Sequence, residues 1–160
     1  LIIMGSDSDL PVMDEAAAVL KKFDIPYYMT VASAHRTPER TLKLVKDAVK
    51  NKIDVIIAGA GMSAHLPGVI ASHTILPVIG VPCEASSLKG MDALLSIVQM
   101  PPGIPVATMA VGKAGAKNAG ILAAQIIARK DFKLTQKLIE HRKKMSKEVE
   151  ERAAKINKRN

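Results

Sequence analysis

"DVIIAGAGMSAHLPGVIASHTILPVIGV", residues 54–81, sets two short apolar runs on either side of a glycine-rich turn and a helix-length segment. The runs, Asp54–Ala58 and Val78–Val81, show no alternation of polar and apolar residues, the pattern of strands covered on both faces. The chain between them, residues 59–77, is long enough for a crossover helix. Two parallel strands need such a crossover and antiparallel ones do not. This stretch therefore reads as one strand–helix–strand unit of a parallel sheet.

The same alternation continues in both directions. Leu1–Met4 reads as a strand, followed by "GSDSD" and a helix over Leu10–Phe23. Tyr27–Ala32 is a second strand, then "SAHRTP" and a helix through Lys50. After the quoted unit come "CEASSLKG", a helix at Met91–Val98, a fifth strand at Ile104–Thr108 and a small-residue helix to Ala128. Strands and helices in this alternation specify an α/β fold with helices on both faces of the sheet. The expectation is a three-layer, flavodoxin-like, doubly wound parallel sheet of order 2-1-3-4-5. Residues 1–160 are expected to form a single domain, with a core over 1–128 and a basic C-terminal helix over 129–160.

Composition narrows the function classes. No stretch approaches the roughly 18 uncharged apolar residues of a membrane span, and the chain opens on an apolar strand with no signal peptide in view. It begins at Leu1 rather than Met, so preceding residues are expected. One cysteine, Cys83, excludes an internal disulfide and suits a reducing cytoplasm. Neither Cys nor His recurs at the spacing of a metal site. The net charge of +8 is uneven: residues 129–160 hold 12 Lys/Arg against 5 Asp/Glu. Leu134, Leu138, Met145 and Val149 fall near one face of that segment, which reads as a solvated amphipathic helix. With aromatics at 2% and only Phe132 in the segment, nucleic-acid binding has little stacking surface to use.

In a 2-1-3 arrangement the turns after the first three strands emerge side by side at the carboxyl edge, where ligands of such sheets bind. "MGSDSD" (4–9) offers Gly5 for close approach, and the hydroxyls of Ser6 and Ser8 with open N–H groups for a phosphate. A carboxylate such as Asp9 suits a sugar hydroxyl better, so a sugar phosphate fits the set. In "SAHRTP" (33–38), Thr37 reads as the helix N-cap and Pro38 as its first residue. Ser33, His35 and Arg36 lie just outside. Guanidinium binds phosphate bidentately, and histidine side chains exchange protons near neutral pH. "GAGMSA" (59–64) matches a loose dinucleotide fingerprint, but it follows the third strand where that fold places it after the first. It reads instead as a backbone wall for a flat ligand, with His65 at its rim. No P-loop and no nucleophile elbow is present. "AGAKNAGILAAQIIA" (114–128) is small and apolar around most of its circumference, so self-association is expected.

These motifs, with "IIMGSDSD", "GAGMSAHLPGVIAS", "PVIGVP", "LLSIVQMPPGIPVATMAVG" and "NAGILAAQI", resemble those of the PurE family, the N5-carboxyaminoimidazole ribonucleotide mutases of purine biosynthesis. The likeness covers essentially the whole chain. It implies a homo-octamer of flavodoxin-like subunits that moves a carboxylate from the exocyclic N5 of a ribonucleotide to ring C4, with no metal or cofactor. Ser6, Asp9 and Arg36 match the family's ribonucleotide contacts, and Ser8 and Ser33 match nearby polar positions. His35 matches the catalytic histidine. Gly61, Ser63, His65 and Leu66 lie on the loop that closes over the base and carboxylate. One departure is Gly61-Met62-Ser63-Ala64, where the family commonly has Gly-Gly-Ala-Ala. Met62 is strained there if its φ is positive.

Two other functions stay open. A second form of the family carboxylates aminoimidazole ribonucleotide directly with CO2, but generally lacks the "HRTP" and "HLPG" pairing present here. A flavodoxin-like FMN carrier shares the fold, but the chain has no Trp and its Tyr27 and Tyr28 fall at the wrong end of the sheet.

Overall fold

Apolar alternation on the two faces of each strand decides how the layers assemble in this computed structural model, which describes residues 1–157. β1 (Ile2–Met4), β2 (Met29–Val31), β3 (Ile56–Gly61), β4 (Val78–Cys83) and β5 (Ala107–Thr108) form one parallel sheet of order β2-β1-β3-β4-β5. Ile2, Met4, Ile57, Ile79 and Val81 face one side, packed on Met13, Ala16 and Leu20 of α1 (Leu10–Lys22) and Ala116, Ala119 and Ala123 of α5 (Gly112–Ala128). Ile3, Ile56, Ala58 and Val78 face the other, against α2 (Pro38–Lys50), α3 (Leu66–Ala71) and α4 (Met91–Val98). The order, the parallel strands and the helices on both faces match the expected flavodoxin-like layout.

Several strand boundaries differ from the sequence reading. The third strand is expected over Asp54–Ala58, but β3 runs on through Gly59, Ala60 and Gly61, paired with β4 as far as Cys83. Met13 of α1 and Ala85 press so closely on Gly59 and Gly61 that neither has room for a Cβ, so these glycines serve packing inside the strand. The turn is thereby shortened to residues 62–65. β5 is only Ala107–Thr108 because Pro105 lacks a ladder donor. β2 begins at Met29, leaving Tyr27 and Tyr28 before the strand.

α6 (Phe132–Asn157) matches the expected terminal helix, while residues 158–160 of that expectation lie outside the described residues. It is anchored where Leu134 and Leu138 meet Phe23 of α1's end and Ala124 of α5. Met145 and Val149 are exposed, so the apolar face continues beyond the packed part. α5 finds its burial inside the chain, between α1, the sheet and α6. Its small residues therefore do not require another subunit. Among the described residues no helix is long and apolar enough to cross a membrane.

Candidate active site

The three turns do meet. β1 and β3 are tied at their ends by Gly5 N–H donating to Gly59 O (3.0 Å), and β2 is held to β1 by Ala32 N–H donating to Met4 O (2.9 Å). Beyond these ends lies a cleft of about 720 Å³. Ser6, Ser8 and Asp9 line it from the first turn, and Ser33, His35 and Arg36 from the second. Gly61, Ser63, His65 and Leu66 line it from the third, so all ten expected residues share one cavity. Leu66 is buried among Ala60, Ala64 and Ile70 and roots its loop in the core. A larger cleft of about 940 Å³ opens beside His73, Ile75, Pro77 and Ile104. It offers one imidazole and no guanidinium, so the reactive groups favour the smaller cavity.

In the first turn, the Ser6 N–H donates to Asp9 Oδ2 (3.1 Å), the Ser8 N–H to Ser6 Oγ (3.3 Å) and Asp7 Oδ1 (3.1 Å), and the Asp9 N–H to Ser6 O (3.2 Å). The backbone donors expected to be open for a phosphate are thus largely engaged by the turn's own oxygens. The Ser6 hydroxyl also donates to Asp7 Oδ1 (3.1 Å), so the Ser8 and Ser33 hydroxyls and the remaining N–H groups of Arg36 are, among the described residues, donors left to meet an anion. Asp9 is 4% exposed. Burial, reinforced by the Asp7 carboxylate, raises its pKa above 3.8, against the lowering effect of the Ser6 N–H and the Cys83 thiol. Cys83 itself is buried and its thiol is pushed up to about 12, mainly by desolvation, with Asp9 beside it adding to the rise.

A raised carboxyl in the fold has a sign that differs from the usual acid. The unfolded chain loses its Asp9 proton first, so the folded state is penalised as pH climbs past 3.8, and the penalty is absent below it. Asp9→Asn, whose amide oxygen still accepts from Ser6, should therefore raise Tm at pH 7. The gap should narrow as pH falls toward 3.8 and close below it, as differential scanning calorimetry from pH 7 to pH 3 would record.

In the second turn, Thr37 occupies the N-cap position of α2 but makes no side-chain cap bond. Its hydroxyl instead accepts from the Ser33 N–H (2.9 Å) and donates to Ser33 O (3.1 Å), cinching the loop. Arg36 reaches across to the first turn: Nη2 donates to Gly5 O (3.3 Å), while its backbone N–H (3.2 Å) and Nε (3.4 Å) donate to Ser33 Oγ. A guanidinium has five N–H donors, and these contacts engage two of them.

The second and third turns join through imidazoles. His35 Nε2 lies 2.8 Å from His65 Nδ1, with the rings edge to face at 4.9 Å between centroids. Such a bond needs one donor nitrogen and one acceptor, so one ring supplies a proton and the other a lone pair. His65 sits at the amino end of α3, fixed by its N–H donating to Ser63 O (2.8 Å). Met62, just before, has φ +54°, the left-handed region in which its Cβ is strained.

Gly5, Ala34, Ala60, Met62 and Ala85 also line the cleft and are absent from the expected contacts. Ala85 follows β4, the neighbour of β3; applying the carboxyl-edge rule to a fourth strand would have found it. Among the described residues no cluster of three or more His, Cys, Asp or Glu could hold a metal ion.

A family model described as AIR carboxylase matches residues 1–148. The chain is 57% identical over 155 residues to a Pyrococcus horikoshii protein named N5-carboxyaminoimidazole ribonucleotide mutase, covering 97% of this chain and 86% of that one. An Escherichia coli K12 protein of the same name is 51% identical over 148 residues, 92% of this chain and 88% of that one. The crystal structure of Treponema denticola PurE superposes with a TM-score of 0.85 at 29% identity, over 96% of this chain and 95% of the other.

Proposed function

The chain belongs to the AIR carboxylase family, and from that premise we propose that it is a mutase converting N5-carboxyaminoimidazole ribonucleotide to 4-carboxy-5-aminoimidazole ribonucleotide in purine biosynthesis. The observation that carries the reading is the His35–His65 pair standing in the same cleft as Arg36, Ser6, Ser8 and Asp9. An anion clamp and a proton carrier sharing one cavity are what a phosphorylated, acid/base-sensitive substrate demands.

Arg36 and the hydroxyls of Ser6, Ser8 and Ser33 hold the phosphate, and Asp9 accepts from ribose hydroxyls. The carbamate N–C bond then breaks. Its electron pair stays on the exocyclic nitrogen, which takes a proton from His35, and CO2 is freed in the cleft. The amine pushes electron density into the ring, C4 attacks the carbon of CO2, and the C4 proton passes to the now basic His35. One proton is given and one taken, so the sum is an isomerisation. His65 orients the His35 ring and fixes which nitrogen carries the proton. The N–H groups of the Gly61–Ser63 loop face the developing carboxylate.

The family model's description names a carboxylase, whereas relatives that align with this chain over most of their length are named mutases. An absorbance assay separates the two. The mutase reading expects rapid product from the N5-carboxylated substrate and little from aminoimidazole ribonucleotide with bicarbonate; the reverse preference would make the chain a direct carboxylase. FMN binding is disfavoured because, among the described residues, no Phe, Tyr or Trp lines the cleft.

Residues 1–160 act here as one domain within a homo-oligomer, taken to be an octamer, in the cytoplasm, and neither a membrane nor a nucleic acid takes part. Support for self-association comes from α4 and the turn before it. Leu88, Met91, Leu95 and Val98 are all exposed, at the spacing of one helical face. Sedimentation should give a mass several times 17.1 kDa; a monomeric mass would contradict it.

A further inference from the structure

Among the described residues lining the cleft, Met62 alone is a non-glycine residue at positive φ. That conformation is disfavoured for any side chain bearing a Cβ, and strain of this kind persists only where its surroundings enforce it. Here they do. On one side, Gly61 is wedged against Ala85 and the Cys83 carbonyl, leaving no room for a Cβ. On the other, the His65 N–H binds Ser63 O at 2.8 Å, and Ala64 and Leu66 are buried. The loop is pinned before and after Met62, which presents an apolar side chain, 59% exposed, at the wall of the cleft. Core packing does not account for it, because the side chain is largely outside the core.

The chemistry of the mutase reaction supplies a reason, and the role assigned to Met62 rests on that reading. Cleavage of the carbamate leaves an amine and CO2. Carbon dioxide is neutral and offers little for hydrogen bonds to hold, so its capture by C4 competes with loss to solvent. Loss leaves aminoimidazole ribonucleotide as a dead end. Retention then depends on shape and on exclusion of water. A thioether on three rotatable bonds suits an irregular opening of this kind.

We propose that Met62 is the residue that retains CO2: with the ribonucleotide bound, its side chain closes the cleft beside the His35–His65 pair and favours recapture by C4 over escape. The readout is a partition ratio, aminoimidazole ribonucleotide released per rearranged product, measured with substrate carrying 13C in its carboxylate in unlabelled bicarbonate. Met62→Gly removes the cover while suiting the left-handed backbone. Its ratio should rise roughly fourfold or more, the factor that one lost methylene contact corresponds to, with a matching loss of 13C from the product. Met62→Leu, which restores apolar bulk, should return the ratio close to the starting value. An unchanged ratio in Met62→Gly, or an equal rise in Met62→Leu, overturns the proposal while leaving the mutase reading intact. An unsubstituted enzyme that forms no rearranged product overturns both.

Discussion

His35→Asn should bind the ribonucleotide almost as tightly as the unsubstituted enzyme yet turn it over about 10²–10⁴-fold more slowly, the range a positioned proton carrier contributes. The reason lies in what the two side chains share. Asparagine shares histidine's polarity but ends about where Nδ1 stands, so it gives up the 2.8 Å contact made through Nε2 without placing a charge or an apolar group in the cleft. It cannot take up a proton at C4 and deliver one to nitrogen. His35 lies in an exposed loop whose closure depends on Thr37 and Ser33, so the substitution leaves the buried layers untouched. Calorimetric binding with product, beside kcat by absorbance, separates the two effects. A kcat within a few-fold of the original would remove His35 from the proton path. A collapse of binding with kcat preserved would assign it to substrate affinity.

Arg36→Ala should act on the other term. Its guanidinium bridges the first two turns through Gly5 O and Ser33 Oγ and is, among the described residues, the one Lys or Arg side chain lining the cleft. A charge-assisted bond to phosphate is worth about 1.5–3 kcal/mol, so its loss should raise KM by about 10- to 100-fold. The fall in kcat should be smaller, because the phosphate is bound alike in ground and transition states. A dephosphorylated nucleoside analogue, which has nothing for Arg36 to hold, should lose far less affinity on the same substitution. Equal losses for the two ligands would mean that Arg36 serves the loop rather than the phosphate.

Much of this architecture is legible in the sequence because burial on both faces leaves a plain mark. "VIIA" and "PVIGV" fit strands of a covered sheet, and their alternation with helices suggests the strand order that the structure has. The ends of those strands are harder. Gly59 and Gly61 look like a loop in one dimension. In three they are strand residues whose missing side chains admit Met13 and Ala85. Thr37 before Pro38 has the composition of a helix cap, but its hydroxyl is claimed by Ser33 four residues earlier. Small residues along α5 signal close packing without saying against what, and here α1 and α6 answer.

The site shows the same division. The carboxyl-edge rule brings His35, Arg36, Ser6 and His65 to one cavity from residue type and position alone. The 2.8 Å meeting of His35 with His65 depends on how two loops bend and has no local signature. Nor does the engagement of the Ser6 and Ser8 amides by Asp9 and Asp7, which leaves the proposed phosphate contact to side chains, Arg36 above all. Asp9 shows what such a site costs. A carboxylate that burial holds above its ordinary pKa works against the fold, and the ribose recognition proposed for it would be the gain set against that loss.

The most direct measurement is a crystal structure with 4-carboxy-5-aminoimidazole ribonucleotide bound. The expected result is a phosphate on Arg36 and the Ser6, Ser8 and Ser33 hydroxyls, ribose hydroxyls on Asp9, and the imidazole ring with its exocyclic amine within hydrogen-bond reach of His35. A ring turned away from His35, or a ligand seated in the larger cleft beside His73 and Ile75, would contradict it.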